Sequence, residues 1–85
     1  MISCNHYDYF EIACMHRYPI RLTMKAGEVI EGIAVDMKLN DDRIECIKLS
    51  ITRSDELTES LVILEHIAEI EALTENPHFT NVSFV

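Results

Sequence analysis

The 85-residue chain is expected to be mainly β, a single domain over residues 1–85 in which one N-terminal helix precedes a small five-stranded barrel. Three observations predict this. Apolar residues recur at helical spacing only over about residues 6–17, whereas from Ile20 to Leu73 they follow a period of two broken by short polar turns. The composition, 48% hydrophobic and 26% charged with only two Gly and two Pro, is that of a packed globular chain. At this length the core is small, and there is no room for a second one.

The helix is placed by its start and its stop. Asn5 suits an N-cap, and Asp8 three residues later can reach back to it as a capping-box partner while facing the positive end of the helix. Tyr7, Phe10, Cys14 and Arg17, with Ala13 beside them, form the stripe expected to pack, and Asp8, Glu11 and Met15 fall on another face. Pro19 disfavours helix at Tyr18 and closes the segment.

Ile20, Leu22 and Met24 alternate with Arg21, Thr23 and Lys25, which is a half-buried first strand. Lys25-Ala26-Gly27-Glu28 makes a tight turn, with Gly27 free to take positive φ, so the second strand pairs back as a hairpin. Within Val29 to Met37 the inward parity changes between Ile30 and the set Ile33, Val35 and Met37, and a bulge or bend at Gly32 reconciles the two. Lys38 to Arg43 is a polar loop. Ile44 to Thr52 is a third strand, with Ile47, Leu49 and Ile51 on one face.

Arg53 to Thr58 reads as a charged turn. Glu59 to Leu64 is apolar on both faces and is therefore expected to be covered on both, by the barrel interior and by the helix. Glu65 to Ala68 allows a single tight turn before a fifth strand, Glu69 to Leu73. Residues 74–85, with Pro77, read as a tail holding at most an edge strand at Asn81 to Val85. A helix, five strands and a one-turn link between the fourth and fifth strands is the element order of the Sm-like (SH3-like) small barrel.

Composition also narrows function. No apolar run approaches the roughly 20 residues needed to span a bilayer, and the N-terminus lacks a basic region followed by an apolar stretch, so a soluble cytoplasmic protein is expected. Cys4, Cys14 and Cys46 are an odd number at irregular spacing and suit reduced thiols. Fifteen acids against seven bases give a net charge of −8. Such a chain repels phosphate backbones and anionic membranes, and its field favours a basic protein surface. Acidity of this kind also serves solubility alone.

Two clusters invite chemistry and fail on geometry. Cys4-x-His6 and Cys14-x-His16 hold four metal-capable side chains, but residues two apart on a helix diverge by about 200°, so no metal site is expected. Cys14 and Cys46 lack the electropositive setting and positioned base that a nucleophile requires, and there is no glycine-rich phosphate loop. No catalytic residue and no cofactor is expected. The strand region offers no aromatic residue before the tail, and its bases are scattered among acids, which disfavours direct nucleic-acid binding. What remains is the opening helix, where Tyr7 and Tyr9 stand near Asp8 and Glu11 with Asn5 and His6 just ahead. Carboxylates at i and i+3 share a helical face, and an aromatic beside them can anchor a protein contact.

The segment Ile2-Ser3-Cys4, followed by Tyr7-Asp8, Glu11, Ala13-Cys14 and His16, resembles the opening of the bacterial Rof family. The likeness continues through Leu22-Thr23 and Gly27-Glu28 to Ala34 and Asp36, and beyond residue 37 it is one of strand pattern and length. It implies an Sm-like fold with an N-terminal helix, no catalysis, and binding to the RNA-binding domain of the transcription termination factor Rho, so that transcripts cannot load and termination is inhibited. Carried over by position, Tyr7, Asp8 and Glu11 would contact Rho, with Asn5 and His6 flanking them. A monomer without nucleic acid, membrane or metal partners is expected. Two other readings stay open at this level: an RNA-binding protein of the Hfq kind, and an acidic adaptor for some other basic protein.

Overall fold

The computed structural model describes residues 4–85, with side chains from residue 6 onward. The elements are α1 (Cys4–Met15), β1 (Pro19–Met24), β2 (Val29–Leu39), β3 (Glu45–Arg53), β4 (Glu56–Ile63), a one-turn 3₁₀ helix (Leu64–His66), β5 (Ile67–Ala72) and β6 (Asn81–Ser83). Mainly β with one leading helix is therefore the observed class.

The helix is shifted toward the N-terminus of the expected span. Asn5 lies inside its first turn and not ahead of it, and no acidic residue lies in that turn, so the helix does not begin from Asn5 as expected. The side chains of Cys4 and Asn5 lie outside the described residues. At the other end Tyr18 N–H donates to Ala13 O at 2.9 Å and Arg17 N–H to Cys14 O at 3.2 Å, while Arg17 sits at φ 51°. This is a Schellman cap with arginine in the left-handed position that glycine usually fills. Arg17 is thus exposed and off the helix, not part of its packed stripe. The reversal it makes lets Pro19 begin β1 at once.

All strand pairs are antiparallel, in the order β4-β3-β2-β1-β5-β6. Among the described residues six strands form where five were expected, and the ladder has two ends, so the sheet is not a closed barrel. The reason is local: β1 takes one edge of β5 and β6 takes the other, which leaves β4 no edge on which to close. Phe10 and Ala13 of α1 meet Ile20, Leu22, Ala34, Ile47, Leu49, Leu64, Ile67 and Ile70 in one core, all fully buried. Each larger side chain placed there stabilises the fold by about 1.5–3 kcal/mol.

The parity change in β2 is real, but its bulge lies three residues beyond Gly32. Ala34 pairs with Leu49 and Asp36 with Lys48, so Val35 is the extra residue. Gly32 and Ala34 face inward, Ile33 is 45% exposed, and Met37 returns to the core side opposite Ile47. Gly32 answers a different need, the close approach of β3: a Cβ there would lie 2.9 Å from Ser50 O.

The β3–β4 connection is tighter than the charged turn expected. Arg53 pairs with Glu56, and Ser54 and Asp55 take φ 48° and 69°, a two-residue turn with both central residues left-handed. Burial on both faces of β4 is not observed. Val62 and Leu64 are buried, but Leu61 is 42% exposed, because α1 packs on β2 and leaves that face of β4 uncovered. The single turn after β4 is present as the 3₁₀ helix, and β5 begins two residues early, with a register shift beside Ala68.

Residues 74–85 are not a loose tail. Asn76 Oδ1 accepts from His78 N–H at 2.8 Å and Phe79 N–H at 3.0 Å, and its amide donates to Thr74 O and Phe79 O. This folds the loop so that β6 can pair with β5 and Phe79, Val82 and Phe84 can pack on the core.

Candidate functional site on the helix

Because α1 buries Phe10 and Ala13, its rotation about its own axis is set. Asp8 and Glu11, 60° apart on the helical wheel, are exposed, and Cys14 is half-buried against the strands. Of the five residues singled out from the sequence, Asp8 and Glu11 share the outer face and Tyr7 stands half-buried beside Glu11. His6 points elsewhere: its ring meets Phe84 edge-on at 4.9 Å. Asn5 belongs to the helix, but its side chain lies outside the described residues. Tyr9 is drawn away from the acids and packs on Phe79 at 5.5 Å.

Between α1 and the bulged part of β2 runs an open groove of about 380 Å³, lined by Tyr7, Glu11, Cys14, Met15, Val35, Asp36 and Met37. Its charge is uniformly negative. Burial, and then the carboxylates of Glu45 and Glu11, push the Tyr7 hydroxyl above its ordinary value. Burial first and Asp36 second push the Cys14 thiol up to about 11, so this cysteine is a packed group with little thiolate at neutral pH. Asp36 and Glu45 are contributions that the sequence pattern did not single out as site residues. Asp36 reaches the groove because the bulge at Val35 resets the parity of β2.

Two bases of the sheet, Arg21 and Lys48, are engaged. Arg21 on β1 donates from Nε to Glu31 at 2.6 Å and from Nη1 to Glu71 at 2.9 Å, bridging both neighbouring strands, and Lys48 lies 3.7 Å from Glu59. Among the described residues no cluster of three or more His, Cys, Asp or Glu side chains is arranged to hold a metal ion, and no helix is long and apolar enough to cross a membrane.

Fold and site together define a small acidic domain of six antiparallel strands fronted by one helix with an acidic outer face. Residues 1–84 match the family described as "Modulator of Rho-dependent transcription termination (ROF)", and the chain belongs to this family of regulators. A solved structure described as YaeO bound to magnesium, from Vibrio cholerae O395, is similar at 40% identity and a TM-score of 0.81, over 93% of this chain and 97% of that one. No curated protein matches.

Proposed function

We propose that this protein binds Rho through the outer face of α1 and blocks the primary RNA-binding site of Rho, so that Rho-dependent termination is inhibited. The observation that carries the reading is the pair Asp8 and Glu11, both exposed on one helical face and flanked by Tyr7 and a negative groove. A surface that grips RNA presents Lys and Arg to phosphates, and two carboxylates on a rigid helix can take the place of two phosphates there. The engaged Arg21 and Lys48 support the same direction, since they leave the sheet face poorly suited to phosphate.

The test is competition: the purified protein displaces oligo(C) RNA from Rho in proportion to its concentration. In the double variant Asp8→Lys, Glu11→Lys each lost charge-assisted contact costs about 1.5–3 kcal/mol, so affinity falls roughly tenfold or more per site. Unchanged affinity in a folded double variant sinks the assignment. Tight binding of RNA by the protein alone, in a hexamer-sized particle, would support the Hfq-like reading in its place.

A further inference from the structure

Two sets of contacts hold α1. Phe10 and Ala13 seat it on the core beside β2, and rings of the C-terminal segment meet it from its first turn to its end. Phe84 lies 4.9 Å from His6 and 5.1 Å from Phe10, Phe79 lies 5.5 Å from Tyr9, and His78 stacks on His16, just past the helix end, at 5.0 Å. The contacts thus run from the first turn to the C-cap. Asp8 and Glu11 belong to neither set, so their aim depends on how far the helix rolls about its axis. A carboxylate about 5–6 Å from the axis moves on the order of 2 Å for a 20° roll. Charge-assisted contacts have lengths of about 2.7–2.9 Å and do not survive such a displacement.

We infer that Phe79 and Phe84 are positioning residues for the recognition helix: they set the roll of α1 on the sheet, and so the aim of Asp8 and Glu11, while themselves facing the helix. The segment carrying them is well placed for this task. It is fixed at one end by the Asn76 hydrogen bonds and along β6 by pairing with β5, so both rings project from braced backbone. The inference rests on the assignment of the helical face to Rho, and its test separates the two.

Hydrogen exchange of the free protein and displacement of oligo(C) RNA from Rho are measured for the full chain, for Phe79→Ala/Phe84→Ala, for Phe84→Leu alone and for Phe79→Tyr/Phe84→Tyr. Loss of one or two aromatic pairs is expected to speed exchange at the Tyr9 to Met15 amides roughly tenfold and to weaken displacement by a similar factor, with the β3 amides changed less than about twofold. The ring-retaining variant keeps wild-type behaviour in both assays. Phe84 lies just past the three-residue edge strand, so Phe84→Leu carries the comparison if the double alanine variant does not fold. Acceleration shared equally by helix and sheet, or unaltered exchange in α1, overturns the inference. Failure of the wild-type protein to displace RNA would overturn the Rho reading, and the exchange measurement would still decide the role of the two rings.

Discussion

Replacing Gly32 with alanine is expected to destabilise the protein, against the local preference of a strand. Alanine in place of an interior strand glycine gains about 0.5–1 kcal/mol from backbone entropy. At this position the new Cβ would stand 2.9 Å from Ser50 O, 3.1 Å from Ile51 Cγ1 and 3.3 Å from Leu49 Cβ. The nearest atom is a main-chain carbonyl in the middle of the β2–β3 ladder, which cannot swing aside as a side chain would. Overpacking of this kind costs about 1–3 kcal/mol, leaving a net loss of up to about 2.5 kcal/mol. Unfolding entropy of about 2.1 cal/mol/K per residue then gives a fall in Tm of up to roughly 14 °C for a chain of this length. Thermal melts followed by far-UV circular dichroism measure it. Gly27→Ala is the companion: it has open space around it but φ +102°, so its loss comes from the dihedral alone. A second substitution, Ile51→Ala, should recover little of the Gly32→Ala loss, because the carbonyl contact remains. A rise in Tm for Gly32→Ala would refute the argument that close strand approach, and not chain flexibility, explains this glycine.

Arg17→Gly should act in the opposite sense: relief of the left-handed strain at φ 51° raises stability by about 1 kcal/mol, read as a higher urea midpoint. Cys14, its thiol pushed up from 9.0 to about 11, should alkylate at pH 8 roughly a hundredfold more slowly than a free thiol. The same shift has a signed effect on folding. Between pH 9 and about 11 the folded chain keeps a proton that the unfolded chain gives up, so stability present below pH 9 is lost as pH rises through that window, and a pH series of urea midpoints checks it. Affinity for Rho should fall as salt rises from 0.1 to 1 M, where the screening length shrinks from about 10 to 3 Å; titrations that do not respond to salt would remove the charged face from the interaction.

The sequence disclosed the elements wherever a side-chain period decided them. Ile20 with Leu22 and Ile47 with Leu49 alternate into the core as their spacing required, and Phe10 with Ala13 turns Asp8 and Glu11 outward. It failed where backbone decided. Arg17, Ser54 and Asp55 adopt left-handed conformations without being glycine, so the end of the helix and the tight β3–β4 turn carried no glycine signal. The bulge in β2 was legible as a parity conflict, but its place was not, since Gly32 invited it and Val35 took it. The closed barrel was expected because no local pattern reveals that β6 will occupy an edge of β5. Of the site, the face of α1 could be read from helical spacing. The groove beside it could not, because Val35, Asp36 and Met37 arrive from a strand whose neighbours are set only by the fold.

The placement of β6 also makes the two edges of this sheet unequal as templates. Growth of a ring or a fibre by strand addition requires every unit to offer two edges of usable length, one to give and one to receive. Here one end of the sheet is the eight-residue β4 and the other is the three-residue β6, which covers Glu69 to Glu71 of the longer β5. The two edges are therefore unequal: β4 offers a long template for an added strand, and β6 offers a short one.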